Sequence, residues 1–316
     1  CPPFDYRGFR LRPWSQQAEA ATRFAPIPLA NIMAKASRYA KQGKTGPSTE
    51  STGSLSLGFD DRDRDGTFEY VVRSPEAKVW VSQYGTVTHW EAGGQAISMA
   101  GLGLCRDMIW IPQTERANAG MDAGMTLDER NVSASQIALS FSKDVTLETL
   151  GGMASVKVTK AFTFPAGGPR FSVDVSVTNT SVTMDMPSLP LCYRVHNHID
   201  YGKAKTALWV SDGQRTVTWD DMEKHYSIPN AGLKASETAV VFGQNDTSPP
   251  HRIVAFGDYF PAEQMLLTVR PKVPAQLLQI LRWGRKADRG GSGTIEWIYR
   301  PYDLQQGGSM DYGYEF

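Results

Sequence analysis

The sequence lacks an excess of charge of either sign. Its 316 residues include 33 Lys and Arg and 33 Asp and Glu, so the formal net charge is zero when the histidines are neutral. Binding to nucleic acid or to anionic lipid draws on a surplus of positive charge. The composition therefore predicts neither kind of partner.

Long hydrophobic runs are also missing. The longest apolar stretches, such as Ile253–Phe256 and Leu277–Leu281, fall far short of the roughly 20 residues that a helix needs to cross a bilayer. We therefore expect no membrane span. Glycine-rich phosphate loops and the motifs G-x-S-x-G and H-E-x-x-H are absent as well, so the commonest signatures of nucleotide binding, serine hydrolysis and zinc proteolysis are not represented.

Cysteines are few. Cys1, Cys105 and Cys192 do not show the CxxC spacing of a zinc site. Cys105 and Cys192 could form a disulfide, although two buried thiols are the simpler interpretation. Cys1 in the first position is compatible with the acylated terminus of a lipoprotein in the periplasm, at the cell surface or outside the cell. It is equally compatible with a fragment that has an upstream domain.

What the sequence does contain is a long series of strand patterns. Apolar residues alternate with polar ones over Ser155–Phe164 and over Phe171–Val177, and Ala166–Pro169 forms a turn between the two runs. Half-buried strands without intervening helices predict an all-β fold, a large antiparallel β-sandwich, over residues 55–316. Further strand patterns cover Glu69–Arg73, Lys78–Gln83, Ile137–Ser142, Leu189–Ile199, Thr206–Val210, Thr216–Trp219, Thr238–Phe242, Met265–Val269, Gln276–Trp283, Gly293–Tyr299 and Met310–Phe316.

Residues 1–54 differ from the rest of the chain. Ser15 can cap a helix over Gln16–Phe24, and Leu29–Gln42 has a second helical pattern. Gly43–Ser54 is rich in Gly, Ser and Thr, as flexible linkers are. We expect a short helical N-terminal arm and a linker before the sandwich.

The segment Leu191–Asp200 gives the strongest indication of a functional site. If it is a strand, four polar side chains spaced about 6.6 Å apart face the same side: Arg194, His196, His198 and Asp200. Burying such groups without partners is costly, so we interpret this face as the wall of a cleft that binds a polar ligand. The alternatives are a hydrogen-bonded set packed under a loop and a zinc site formed by His196 and His198.

An acidic residue lies within the strand pattern near the C-terminus. Glu296 has aliphatic and aromatic neighbours in Gly293–Tyr299. A carboxylate in such surroundings is either part of a salt bridge or placed to act on a ligand. Together with a histidine acid on a facing strand, it could serve as a base and move protons on a bound sugar.

The order of these features resembles the galactose mutarotase-like β-sandwich superfamily, which includes aldose 1-epimerases and the sandwich domains of many glycoside hydrolases and polysaccharide lyases. The resemblance covers roughly residues 65–316. It implies a supersandwich fold, a saccharide ligand and no required cofactor. The features that carry it are the paired strands Lys160–Phe164 and Phe171–Val177, the sequence His196-Asn197-His198, Glu296, and a closing strand that ends at Phe316.

The resemblance also implies roles for individual residues. In the family's enzymes a histidine protonates the ring oxygen of an aldose, and a glutamate takes the proton of the anomeric hydroxyl. By position, His196 is the acid and Glu296 the base of an aldose mutarotase or epimerase. The resemblance also implies sugar contacts for His198 and Arg106, and Arg194 and Asp200 on the polar strand face complete the predicted substrate-binding set.

The sequence departs from the family pattern in two places. The family's strand reads His-x-Tyr-Phe-Asn where this chain has His196–Asp200, and Trp297–Pro301 replaces the Pro-Asp-Ala that follows the family's glutamate. Fold membership alone does not define an activity. The alternative function is therefore a non-catalytic sandwich module of a larger glycoside hydrolase or polysaccharide lyase.

The acidic stretch Asp61–Glu69 is a third feature. Carboxylates at alternate positions followed by a glycine resemble the start of a calcium loop, and the candidate ligands are Asp61, Asp63, Asp65 and Glu69. Arg62 and Arg64 reduce the negative field of this stretch. Calcium is therefore one prediction, and a charged surface turn is its alternative.

Overall fold

β-Strands dominate the part of the chain that the structure describes. The computed structural model describes residues 49–62, 67–98, 103–111, 116–120, 124–149, 152–182, 188–199, 206–221, 224–233, 252–283 and 293–316. These ranges contain one 3₁₀ turn, Pro274–Gln276, and no α-helix; within them, no helix could span a membrane. The all-β prediction is confirmed for these residues, whereas the predicted helices of the N-terminal arm lie outside them.

The strands are numbered in chain order, and every recorded pairing among them is antiparallel. They are β1 (Glu50–Thr52), β2 (Leu55–Asp60), β3 (Glu69–Arg73), β4 (Ala77–Val81), β5 (Val87–Ala92), β6 (Gln95–Ala96), β7 (Arg106–Ile111), β8 (Arg116–Gly120), β9 (Thr126–Val132), β10 (Gln136–Thr149), β11 (Gly152–Pro165), β12 (Ser172–Asn179), β13 (Ser188–Ile199), β14 (Ala207–Ser211), β15 (Thr216–Trp219), β16 (Tyr226–Pro229), β17 (Ala255–Phe260), β18 (Met265–Leu266), β19 (Arg270–Pro271), β20 (Leu277–Trp283), β21 (Gly293–Tyr299), β22 (Tyr302–Gln305) and β23 (Ser309–Glu315).

These strands form four sheets within the described ranges. Strands β1 to β6 form a meander in chain order. The second sheet has the order β19-β23-β12-β11-β10-β9, and the third has the order β16-β20-β21-β13-β7-β8, with β22 paired to β13. The fourth sheet has the order β15-β14-β17-β18.

The second and third sheets face each other across the core. The rings of Trp297 in β21 and Tyr314 in β23 have centres 4.9 Å apart, and those of Tyr193 in β13 and Tyr312 in β23 have centres 5.4 Å apart. All four side chains belong to one continuous apolar cluster. The predicted antiparallel sandwich is therefore confirmed, and β13 lies inside the third sheet rather than at its edge.

The hairpin of β11 and β12 follows the predicted alternation. Phe162 pairs with Val173 and Val158 with Val177, and all four are buried. The same parity places Lys160 between Val158 and Phe162, where it too is buried. Lysine is rarely buried completely unless it is paired, so its presence in this inward row departs from the apolar pattern.

Strand β10 is longer than its sequence pattern predicts. The alternation ends at Ser142, whereas β10 continues to Thr149 and pairs with β11 along its whole length. Val145 and Leu147 keep the inward parity and are buried. Lys143 interrupts the apolar series in the sequence, but backbone pairing with β11 carries the strand past it.

Other segments also differ from expectation: of the predicted strand Met265–Val269, only Met265–Leu266 forms a strand, β18. Glu50–Thr52 lies in the predicted linker but forms β1, because a polar strand can pair through its backbone at a sheet edge. Gln276 ends the 3₁₀ turn that begins at Pro274 and does not open β20. The predicted strand Thr238–Phe242 lies outside the described residues.

Cys105 and Cys192 are not joined by a disulfide, and both are buried. The interpretation of buried thiols is confirmed, and the disulfide alternative is wrong. Burial raises the pKa of the Cys105 thiol to about 12, so this thiol stays protonated at neutral pH.

We predict that Phe162→Ala strongly destabilises the sandwich. The ring is buried, with centres 6.0 Å from Phe141 and 6.2 Å from Phe164, so its removal leaves a cavity. Such a change lowers the free energy of unfolding by about 3–5 kcal/mol, which urea denaturation measures. Thr163→Ala, on the opposite side of the strand, is the control and should cost less than about 1 kcal/mol. Equal losses would contradict the assigned core face.

Candidate functional site

Strand β13 places the polar residues of the predicted cleft on one face. The rings of His196 and His198 have centres 4.6 Å apart, as expected for neighbours on the same side of a strand. Val195 and Ile199, on the other side, are buried in the core. Arg194 shares the parity of the two histidines. Asp200 lies outside the described residues.

The neighbouring strands bring Glu296 and Arg106 to His196. In the register of the sheet, Glu296 of β21 and Arg106 of β7 are the residues paired with His196 on its two sides. Atom Nε2 of His196 lies 3.3 Å from Oε1 of Glu296. Candidate residues from three separate segments of the sequence therefore meet at one place.

Arg194 binds Glu296 through two nitrogen atoms. Its Nε donates a hydrogen bond of 2.6 Å to Oε2 of Glu296, and its Nη2 donates to the same oxygen. The hydroxyl of Thr294 donates to Oε1 at 2.8 Å. Only 4% of Arg194 and 2% of Glu296 is exposed. The guanidinium predicted to contact a sugar is therefore engaged with the carboxylate in a buried ion pair.

The carboxyl group of Glu296 is held in its ionised form. Burial acts to raise its pKa, but Arg194, His196 and the hydrogen bonds from Arg194 and Thr294 together outweigh burial. The pKa of Glu296 is therefore lower than its ordinary value. At neutral pH the group is a carboxylate, which is the form that accepts protons and hydrogen bonds.

His198 is a neutral imidazole at neutral pH. Burial first, and then His196 and Arg106, lower its pKa to about 4, although Glu296 acts in the opposite direction. Its Nδ1 is buried and has no hydrogen-bond partner in the described part of the chain. A neutral ring has one donor and one acceptor nitrogen, so His198 can bind a hydroxyl group in either direction.

The polar set consists of Arg106, Arg194, His196, His198 and Glu296. Its most accessible members are His196 and Arg106. Only 5% of His198 is exposed, whereas the side chain of His196 keeps 16% of its surface exposed and Arg106 is half-buried. A ligand would meet these two residues first. The other members of the set are buried, as the alternative interpretation of a hydrogen-bonded group enclosed by the protein predicts.

Asn197 supports the site from the core side of β13. Its Oδ1 accepts a hydrogen bond of 2.8 Å from the backbone N–H of Cys105, and its Nδ2 donates one of 3.2 Å to the carbonyl of Ile295. It therefore ties β13 to β21 and to the segment before β7. A polar residue between the inward-facing Val195 and Ile199 is the sequence signal that could have identified it. Thr294, two residues before Glu296, carries no comparable signal.

Zinc has no complete ligand set around the two histidines in the described ranges. No group of three or more His, Cys, Asp or Glu side chains there is arranged to hold a metal ion. His196 and His198 face Glu296, but Arg194 and Thr294 bind that carboxylate.

The predicted calcium ligands are only partly within the described residues. Asp63 and Asp65 lie outside them, and Asp61 is half-buried. Glu69 is buried and accepts hydrogen bonds from the N–H of Arg62 at 3.3 Å and from the hydroxyl of Thr88 at 3.4 Å. Its carboxylate therefore already has partners within the protein.

The described strands form an antiparallel sandwich, and its fold is similar to that of solved galactose mutarotase-like structures, as the sequence resemblance implies. No family model matches the chain, and no curated protein matches it. The chain does match solved structures of this fold. The identities given below are low enough that they support the fold and not an activity.

Three solved structures illustrate the likeness. A galactose mutarotase-like protein from Clostridium acetobutylicum is 9% identical, with a TM-score of 0.54 over 83% of this chain and 97% of that one. A galactose mutarotase-like protein from Lactobacillus casei is 11% identical, with a TM-score of 0.51 over 77% and 97%. The 4-alpha-glucanotransferase from Thermococcus litoralis is 7% identical, with a TM-score of 0.50 over 82% of this chain and 38% of that one.

We predict that Arg194→Met destabilises the protein most near neutral pH. The variant leaves the buried carboxylate of Glu296 without its main positive partner, which costs about 3–5 kcal/mol. In the wild type the lowered pKa of Glu296 stabilises the fold above the unfolded-state pKa, and this contribution is lost as the pH falls through the folded-state value. Without Arg194 the pKa rises, so the loss in free energy of unfolding should be larger at pH 7 than at pH 4.

Urea denaturation at the two pH values measures this difference. Arg130→Met is the control, because Arg130 forms an exposed ion pair of 2.8 Å with Glu50, and such pairs contribute at most about 1 kcal/mol. A loss for Arg194→Met that is the same at pH 4 and pH 7 would contradict the assigned charge state of Glu296.

For calcium, we expect EDTA to lower the melting temperature and excess CaCl₂, but not MgCl₂, to restore it, because flexible carboxylate loops favour the larger ion. Asp61→Asn should weaken this response by removing one candidate ligand charge. A melting temperature that EDTA leaves unchanged would contradict calcium binding and favour the charged surface turn.

Proposed function

We propose that the protein binds an aldose at the face formed by β7, β13 and β21 and interconverts its anomers. The observation that supports this most directly is the separation of 3.3 Å between Nε2 of His196 and Oε1 of Glu296. A group that can donate a proton lies beside a carboxylate that can accept one. His196 also belongs to the more accessible part of the polar set.

In the proposed reaction, His196 protonates the ring oxygen of the aldose while Glu296 takes the proton of the anomeric hydroxyl. The bond between the ring oxygen and the anomeric carbon breaks, which gives an open-chain aldehyde and a free hydroxyl. Rotation about the adjacent carbon–carbon bond turns the other face of the aldehyde toward that hydroxyl. Ring closure returns both protons and yields the other anomer, so the reaction consumes nothing.

The surroundings of Glu296 favour this role in one respect and limit it in another. The lowered pKa keeps the carboxylate ionised at neutral pH, as a base must be. A lower pKa also makes a weaker base. We therefore expect a slower reaction than the same pair would catalyse without the guanidinium of Arg194.

Arg106 and His198 complete the proposed site as sugar-binding residues. Arg106 flanks His196 on the side opposite Glu296. His198 provides a neutral ring with an unpaired Nδ1, which suits an uncharged hydroxyl better than a charged group. A neutral ligand held by a few placed hydrogen bonds is also consistent with the zero net charge of the chain.

One observation favours a second candidate, saccharide binding without catalysis. Both oxygens of Glu296 already accept hydrogen bonds, one from Arg194 and the other from Thr294. A carboxylate engaged in this way can be structural. The protein would then be a sandwich module that binds a saccharide and leaves its chemistry to another domain.

We expect the purified protein to accelerate the mutarotation of at least one aldose above the rate in buffer, as followed by polarimetry or NMR. His196→Gln removes the proposed acid, and Glu296→Gln removes the proposed base. Each should lower the catalysed rate by about 10²- to 10⁴-fold, the usual contribution of a positioned acid or base.

His225→Gln is the matched control, because His225 is exposed and contacts Trp283 rather than the site. Its rate should equal that of the wild type. Sugar binding without acceleration by the wild type would favour the second candidate. Neither acceleration nor binding for any aldose tested would contradict both.

A further inference from the structure

Lys160 is buried in the core behind the candidate site. Its Nζ lies 2.7 Å from Oδ2 of Asp107 and donates a hydrogen bond of 2.5 Å to the carbonyl oxygen of Cys105. The side chains of Lys160 and Asp107 are fully buried, and the hydroxyl of Tyr193 donates to the same Oδ2 at 2.7 Å. Lys160 belongs to the second sheet, whereas Asp107 lies in β7 of the third sheet and Cys105 directly precedes β7, so Lys160 bridges the two layers.

Stability alone is a weak explanation for this arrangement. A buried ion pair usually stabilises a core no better than apolar side chains of the same volume. Val158 and Phe162, the inward neighbours of Lys160 along β11, show that apolar residues fit this row. Lys160 contacts Cys105 and Asp107, the residues directly before and after Arg106 in the chain. This position points to a more specific role.

The segment that Lys160 holds has an unusual backbone. Gly103 and Cys105 have φ values of 68° and 57°, and a Cβ at Gly103 would lie 2.4 Å from the carbonyl oxygen of Val87. A non-glycine residue at positive φ persists only where its surroundings determine it. For Cys105 the determining bonds are those of its N–H to Asn197 and of its carbonyl oxygen to Lys160.

The same segment is bonded directly to the site. The backbone N–H of His198 donates to the carbonyl oxygen of Gly103 at 3.0 Å. Arg106 follows Cys105 and pairs with His196 in the register of the sheet. A shift of the segment would therefore move Arg106 relative to both histidines.

We propose that Lys160 is a positioning residue, which holds Cys105 and Asp107 from the core side so that Arg106 keeps its place beside His196 and His198. The consequence for sugar binding rests on the proposed function. The position of Arg106 does not, and it can be measured in the protein without sugar.

The titration of His198 reports this position. The charged and titratable groups that act on His198 are His196 on its own strand, Arg106 on β7 and Glu296 on β21. The first two lower its pKa, together with burial, and Glu296 raises it. Movement of Arg106 away from the ring therefore raises the pKa of His198. A loss of global stability by itself would not change this value in the folded protein.

The experiment compares Lys160→Met with the double variant Lys160→Met/Asp107→Asn. The single variant leaves a buried carboxylate unpaired, so its melting temperature should fall. The double variant removes both charges and keeps an amide near Tyr193, so its melting temperature should recover toward the wild type. Both lack the bond to Cys105, and in both the pKa of His198 should rise, as measured by NMR of ¹³C-labelled histidine and assigned with His198→Gln.

In the mutarotation assay, kcat/KM should fall by about 10- to 100-fold in both variants, the range expected when a contact residue is displaced by up to an ångström. Most of the change should be in KM, because neither substitution touches His196 or Glu296.

Asn230→Ala is the control for destabilisation. The Asn230 side chain is buried and bonds the backbone of Pro274, Leu277 and Ile253, none of which is in the candidate site. Asn230→Ala should therefore lower the melting temperature and leave the pKa of His198 unchanged.

An unchanged pKa of His198 in the double variant would overturn the proposal, and so would an equal change in Asn230→Ala. A raised pKa in a protein whose wild type does not accelerate mutarotation would support the positioning role and contradict only the proposed reaction. If Lys160→Met does not fold, the double variant carries the test.

Discussion

The ion pair between Arg194 and Glu296 is the interaction on which the candidate site depends. Two buried charges are tolerated only when they form an ion pair and their remaining hydrogen-bonding groups have partners. The hydroxyl of Thr294 donates a hydrogen bond to Oε1 of Glu296, and Nε2 of His196 lies close to the same oxygen. The pair joins β13 to β21, fixes the carboxylate beside the imidazole and keeps it ionised. The geometry and the charge state of the site thus have a common cause.

Strand β13 is constrained on both of its faces. Arg194 and His196 face the site, while Tyr193 and Asn197 on the other side donate to Asp107 and Ile295. Hydrogen bonds on the core side restrain the backbone of the strand, and a restrained backbone restrains the side chains on the opposite face. Rigid support of this kind is what a site needs to hold reacting groups within a fraction of an ångström. The sandwich provides it without an α-helix in the described ranges.

Local patterns predicted the strands and the face on which the histidines lie, because a period of two residues is visible along the chain. They did not predict the partners across strands. That Arg194 would bind Glu296 depends on the register between β13 and β21, which no local pattern contains. Lys160 was missed for a related reason, since its partner Asp107 is on the facing sheet. Asn197 could have been found, because it interrupts an inward apolar row.

The charge states of Glu296 and His198 are set by their neighbours. Glu296 is ionised at neutral pH because Arg194 and its other partners outweigh burial, and His198 is neutral because its pKa is about 4. Neither group changes its resting charge between pH 5 and 8. His196 is the most accessible of these three side chains, with 16% of its surface exposed. The proposed role of His196 as the proton donor therefore depends on its exposure and on its position beside Oε1 of Glu296.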